Sequence, residues 1–337
     1  MALNKPFLIG ETTVNPGKRA NISLPVADLY TSTSLSMPVQ VICGRRPGPV
    51  LFVSAAIHGD ELNGVEVIRR LLRLKILNSI RGTLIAVPIV NVHGFLNQSR
   101  YLPDRRDLNR SFPGSAKGSI AARLANTFFT QIVSKADYGV DLHTGAINRS
   151  NLPQIRGNLD DEKTLDLANA FGAPVVINAN IRDNSLRACV ADTGVPILIY
   201  EAGEALRFDD ICIRAGLRGV LNIMRAIGML PEKRPGRKKV SPLLARSTSW
   251  VRAPDSGIFN TDVQLGNSVS KGQRLGSISD PLGDTSEVMA APFDGIVIGR
   301  SNLPLAHECD ALFNIAEFKS AAKAEDLVEE FTAIYDH

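Results

Sequence analysis

The chain has 337 residues, of which 44% are hydrophobic, enough for two domains with real cores. No apolar run approaches the ~20 residues needed to span a bilayer, and residues 1–10 show no secretory leader. The net charge of +4 is local: Lys233, Arg234, Arg237, Lys238, Lys239 and Arg246 against Glu232 give +5 between residues 231 and 249 and leave the rest near −1. No aromatic residues interleave with these cations, so a solvated linker is expected rather than a nucleic-acid or membrane contact. Cys43, Cys189, Cys212 and Cys309 form no CxxC pair, which fits reduced thiols in the cytoplasm.

In chain order, residues 20–45 offer antiparallel edge strands, and Pro49–Ile57 is a short apolar strand ending at His58-Gly59-Asp60-Glu61. Glu61–Leu77 repeats apolar residues at helical spacing. Gly82–Val90, Asp137–His143, Ala173–Asn178 and Val195–Glu201 read as buried strands, and Ser119–Ser134, Thr164–Phe171 and Ile211–Met229 as helices. Apolar strands alternating with helices imply an α/β fold with a mixed, mainly parallel central sheet. The Pro-containing basic stretch 231–249 separates this part, residues 1–230, from residues 250–337. There, short segments broken by Gly predict a small all-β sandwich or barrel with a C-terminal tail.

His58 and Glu61 lie three apart across a tight turn, and His143 ends a separate strand. Two imidazoles and one carboxylate are a common catalytic zinc set, with the fourth position left to water. Taken alone, Asp60 and Glu61 are better read as charges favoured at a helix N-terminus; the strand–turn–helix context and a distant histidine favour the ligand set. In open α/β sheets ligands bind beyond the carboxyl ends of strands, where His58, His143 and Glu201 all fall. Glu201, closing an apolar strand, suits a general base; Glu204 competes for the role. Asp141, two residues before His143, is a candidate acceptor behind that imidazole. Between them, Arg100, Arg105, Arg106 and Arg110 suit carboxylate recognition, or form internal pairs with Asp104 and Asp107 in a solvated loop. No G-x-S-x-G is present, which argues against a serine hydrolase, and His93 and His307 read as structural.

The segments HGDE (58–61), RDLNRSFPG (106–114), DLHTG (141–145) and YEAGE (200–204) stand in the order of the succinylglutamate desuccinylase/aspartoacylase family, which the chain resembles over residues ~35–320. The resemblance implies a zinc-carboxypeptidase-like fold and hydrolysis of the amide of an N-acyl amino acid, a small-molecule substrate. It implies one Zn²⁺ per subunit on His58, Glu61 and His143. It further implies Glu201 as catalytic base, Arg100 at the scissile carbonyl, and Asn109 and Arg110 at the substrate carboxylate. The loop is two residues longer than in typical aspartoacylases, so Arg105 or Arg106 is an alternative to Arg100, and Arg106 is a further substrate contact. Arg149 and Arg156 are candidates for substrate discrimination. The family's active-site tyrosine from the C-terminal domain has no match, since residues 250–320 hold no Tyr.

The C-terminal part also resembles biotinyl/lipoyl modules (APDSGIF, VSKGQRLG, APFDGIV), but without a lysine at the hairpin tip 280–289; Lys271 sits in the preceding turn. It is expected to be a packed structural module. A metallocarboxypeptidase and a non-enzymatic binding protein on the same fold are the alternatives, and a homo-oligomer is compatible with the sequence.

Overall fold

The structure, a computed structural model, describes residues 2–179, 183–191, 193–232, 242–245, 247–318 and 320–335. Lys233, Arg234, Arg237, Lys238, Lys239 and Arg246, the cations of the expected linker, lie outside the described residues.

The elements that build the site are, in order, β1 (Lys18–Asp28), β2 (Ser34–Cys43), β3 (Arg46–Ala55), α1 (Asn63–Leu72), β4 (Arg81–Val87), α2 (Ile120–Gln131), β5 (Tyr138–Gly145), β6 (Arg149–Gly157), α3 (Glu162–Phe171), β7 (Val175–Asn178), β8 (Ile197–Glu204) and α4 (Asp210–Ala226). Further along are β9 (Ser247–Arg252), β10 (Gly257–Thr261), β11 (Arg274–Ser279), β12 (Ser286–Ala290), β13 (Gly295–Ser301), β14 (Leu305–Ala306), β15 (Ala311–Glu317) and α5 (Ala321–Tyr335), with shorter strands and helical turns elsewhere in the chain.

One large sheet runs in the order β9-β15-β13-β6-β8-β5-β3-β4-β2-β1, with β7 also paired to β6. The four central strands β8, β5, β3 and β4 are parallel; the outer pairings β8-β6-β13-β15-β9 and β4-β2-β1 are antiparallel, and β7 pairs with β6 in parallel. The sheet is therefore mixed, with parallel pairing dominant only at its centre. The centre is buried on both faces, which is why β3 reads as an unbroken apolar run. Its alternation sorts the layers: Leu51, Val53 and Ala55 join the core beneath α1, α3 and α4, while Phe52 points to the opposite layer with Phe128 of α2. Phe52 is fully buried, worth roughly 1.5–3 kcal/mol of stability. Side-chain caps define the helix starts: Ser119 accepts from Ala122 N, Asp161 from Thr164 N and Asp209 from Cys212 N.

Three features differ from the sequence reading. β6 went unrecognised because Arg149-Ser150-Asn151-Leu152-Pro153-Gln154 is polar and contains proline, yet it lies between β8 on one edge and β7 and β13 on the other. Strand β9 begins at Ser247, and residues 243–245 pair with β7, so the segment expected to be linker contributes strand on both sides of Arg246. The expected C-terminal tail is helix α5, whose Phe331 and Tyr335 pack into the core beneath α4. The C-terminal strands do form two sheets around one core, with Phe259, Leu275, Val297 and Phe313 between them. However, β9, β15 and β13 continue the main sheet, and a second apolar seam, including Leu152, Val175, Ile296 and Val328, joins the two parts.

Candidate metal centre and catalytic cleft

His58, Glu61 and His143 converge beyond the carboxyl ends of β3 and β5. Their ligand atoms lie within 4.8 Å of one another, and all three side chains are buried. Three local features bring this about. The turn 58–61 passes so close to residues 94–95 that a Cβ on Gly59 would sit 2.0 Å from the Gly94 carbonyl carbon, so only glycine fits. Asn63, at the start of α1, donates to Ala202 O at 3.1 Å and accepts from Asp209 N at 3.0 Å, locking the turn to the end of β8. Gly203 adopts φ +76°, and a Cβ there would meet Asn63 Nδ2 at 2.5 Å.

The two imidazoles face the same carboxylate. His58 Nδ1 lies 2.7 Å from Glu61 Oε1 and His143 Nδ1 lies 2.8 Å from Glu61 Oε2, with Thr144 N donating to Oε2 at 3.1 Å. Each remaining ring nitrogen is held by an aspartate: His58 Nε2 at 3.2 Å from Asp107 Oδ1, His143 Nε2 at 2.7 Å from Asp141 Oδ2. Ser54 Oγ donates to Asp141 at 2.7 Å. An aspartate on Nε2–H fixes the tautomer that leaves the Nδ1 lone pair pointing inward, the arrangement of carboxylate–histidine–metal sites. With neutral imidazoles, Glu61, Asp107 and Asp141 against Arg100 leave two negative charges uncompensated. Two nitrogens and one carboxylate suit zinc better than the all-oxygen shells of magnesium or calcium. The residues present thus fit a divalent zinc ion.

The electrostatics agree. Burial works against the Glu61 charge, but His58 and His143 hold its carboxyl well below the usual range. Asp107 behaves likewise: burial opposes its charge, while bonds to His58 and Arg100 hold it low. Burial also opposes charge on His143, yet Asp141 and Glu61 prevail and raise it well above the ordinary imidazole value. In the metal-free cluster the carboxylates and imidazoles thus favour one another's charged forms. Asp60 is pushed up by burial and by Glu61.

Around this cluster, the predicted residues separate. Arg100 approaches Glu61 Oε1 at 3.5 Å and Asp107 Oδ2 at 3.0 Å, so among the three arginines in question it is the one in contact with the cluster. Arg105 is exposed, and Arg106 is 64% exposed with Nε 3.7 Å from Asp104. Asn109 Oδ1 accepts from Leu186 N at 3.0 Å, orienting its Nδ2, and Arg110 is exposed with Nη1 bonded to Asn109 O. Glu201 is the register partner of His143 on the adjacent parallel strand, about 4.8 Å away by sheet spacing. Its Oε2 accepts from Asn151 Nδ2 at 2.9 Å and lies 3.5 Å from Arg156 Nε. Glu204 instead accepts from Asn148 N and Asn302 Nδ2, both at 2.9 Å. Arg149 is drawn away, its guanidinium 4.6 Å from the Trp250 ring centroid.

Ser54, Asn151 and Gln154 were not singled out from the sequence, and Asp107, named there only as a possible arginine partner in the loop, also holds His58. Gln154, opposite Glu201 on β6, is fully buried, and both its amide atoms lack a partner among the described residues.

A profile of the succinylglutamate desuccinylase/aspartoacylase catalytic domain matches residues 47–227, just over half of the chain. An N-alpha-acetyl-L-2,4-diaminobutyric acid deacetylase from Halomonas elongata is 24% identical over 308 residues, covering 88% of this chain and 90% of that protein. The crystal structure of a succinylglutamate desuccinylase/aspartoacylase from Rhodobacter sphaeroides superposes with TM-score 0.80 at 26% identity, covering 89% of this chain and 96% of that one. The product-bound ectoine utilization protein EutE from Ruegeria pomeroyi has TM-score 0.80 at 23% identity over 88% and 95% of the two chains, a likeness of fold.

Proposed function

The chain belongs to the succinylglutamate desuccinylase/aspartoacylase family, and on that premise we propose that it is a zinc-dependent deacylase hydrolysing the amide bond of a small N-acyl amino acid. The meeting of His58, Glu61 and His143, each imidazole anchored from behind by an aspartate, supports the metal. The relative from Halomonas elongata, whose name describes removal of an N-acetyl group from an amino acid, supports the bond cleaved.

Bound by His58, Glu61 and His143, zinc supplies Lewis acidity that polarises a carbonyl and makes a water acidic near neutral pH. Glu201 takes the proton of the attacking water and returns it to the leaving nitrogen as the C–N bond breaks. Arg100, held between Glu61 and Asp107 and 29% exposed, presents its remaining donors to the carbonyl oxygen as negative charge develops there. Asn109 and Arg110 hold the substrate carboxylate, which aligns the amide with the base. Arg106, at the exposed rim, attracts an anionic substrate without gripping it.

Metal analysis of the purified protein, with turnover of N-acetyl, N-succinyl and peptide substrates before and after chelation, tests the proposal. One zinc per chain, activity on N-acyl amino acids and its recovery on adding zinc back are expected. Full turnover after exhaustive metal removal would overturn it, and a preference for peptides would move it to a carboxypeptidase.

A further inference from the structure

The C-terminal sandwich reaches the cleft through the turn and strand that follow β5. Asn302 N donates to Asn148 O at 2.7 Å, and Asn302 Nδ2 donates to Ser150 Oγ at 2.6 Å and to Glu204 Oε2 at 2.9 Å. One residue further along, Asn151 pairs in antiparallel register with Gly299 of β13. The fit at Gly299 is close: a Cβ there would lie 3.1 Å from Asn151 Oδ1, 3.1 Å from Asn314 Cβ and 3.4 Å from the Trp250 ring. Asn151 is only 7% exposed, and its free amide donor is spent on Glu201 Oε2 at 2.9 Å. The path from the C-terminal sheet to the candidate base is thus one glycine and one asparagine long.

We propose that Asn151 is a positioning residue for Glu201, and that the C-terminal sandwich, through Gly299 and Asn302, fixes its orientation. The sandwich then belongs to the catalytic apparatus. The inference rests on Glu201 serving as the base. A carboxylate on a flexible side chain presents either oxygen in many directions. An amide donor on Oε2 leaves Oε1 as the oxygen available to a water proton. Arg156 Nε, at 3.5 Å, is too distant to replace that bond. A misplacement of about 1 Å at a reacting group can cost around 100-fold in rate.

The test compares four single variants, and Gly299→Ala combined with an Asn151 variant, in the full-length zinc-loaded protein, reading kcat, KM, zinc content and thermal midpoint. Asn151→Leu, which keeps the volume and removes the donor, is expected to lower kcat by about 10- to 100-fold, with KM within about threefold and zinc content unchanged. Asn151→Ser, which keeps a hydroxyl donor and leaves room for a bridging water, is expected to recover part of that loss. Gly299→Ala is expected to lower kcat severalfold in the parent and to add nothing in the Asn151→Leu background, because both act through the same bond. A kcat for Asn151→Leu within twofold of the parent overturns the proposal. So do equal losses from Gly299→Ala in both backgrounds, a measurement that stands even if Asn151→Leu folds poorly, since Asn151→Ser then serves as the background. Glu201→Gln separates the layers. If it is inactive while Asn151→Leu is normal, only the positioning fails. If it retains turnover, the base assignment falls and the proposal with it.

Discussion

Asp141→Asn isolates what the charge behind His143 does for the metal. Asp141 is fully buried, with Oδ2 on His143 Nε2 at 2.7 Å and Oδ1 accepting from Ser54 at 2.7 Å. An asparagine has the same shape, its carbonyl oxygen can still accept from the imidazole, and the Ser54 hydroxyl can turn to accept from the new NH₂. Geometry is therefore retained and the negative charge is lost. Carboxylates behind a ligating histidine contribute about 10- to 100-fold in metal affinity, so zinc binding should weaken by about 1.4–2.7 kcal/mol. Competition against a chromophoric chelator measures this directly, without reference to turnover. Circular dichroism and thermal melting of the apo-protein check that folding is intact. An unchanged zinc affinity would refute the carboxylate–histidine–metal arrangement. It would leave Asp141 as a structural partner of Ser54.

Asp107→Asn should weaken zinc binding to a similar degree but also lower turnover, since Asp107 holds Arg100 as well as His58; equal specific activity at saturating zinc would contradict this. Gly59→Ala should yield protein with little bound zinc, because its Cβ has no room against Gly94, and zinc content after purification decides it. Gln154→Leu removes two unpartnered buried polar atoms, each costing about 1–3 kcal/mol. It should raise the thermal midpoint and also raise KM, given its place opposite Glu201; a lower midpoint would show that the amide is satisfied. Glu66, held to about 2 by hydrogen bonds from Arg69 and Arg70, contributes stability that is present above its unfolded value near 4.5 and lost as pH falls towards 2. Because Arg69 is half exposed, Glu66→Gln should cost about 1 kcal/mol at pH 7. In acid denaturation that difference should vanish near pH 2, and a pH-independent gap would point to packing instead.

The sequence made the centre of the sheet legible because a strand buried on both faces must be apolar throughout, as residues 51–53 are. The same logic hid β6. Its buried Leu152 and Ile155 are interspersed with buried Asn151 and Gln154, so neither an apolar run nor a regular alternation marks it. The candidate metal ligands were legible because His58 and Glu61 lie in a tight turn after one apolar strand and His143 near the end of another. Arg106 was less so: several arginines in one loop leave the choice to backbone direction, and only the fold shows that Arg100 meets Glu61 while Arg106 meets Asp104. The register between β6 and β13 could not be read at all, since it joins residues about 150 apart and no local pattern encodes such a pairing.

That long-range register also bears on how the two parts of the chain depend on each other. The C-terminal sandwich has a core of its own around Phe259 and Phe313. Its strands β13, β15 and β9 nevertheless extend the sheet that bears the candidate metal ligands, and α5 returns to pack Phe331 and Tyr335 beneath α4. Removing the sandwich would expose the β6 edge over residues 149–151, the seam around Leu152 and Ile296, and the floor beneath α4. An exposed strand edge beside an apolar surface favours aggregation over a soluble fragment. The candidate site residues all precede residue 205, but the strand that pairs with β6 at Asn151 is β13, residues 295–301. On the reading proposed above, one part supplies the chemistry and the other the packing around Asn151.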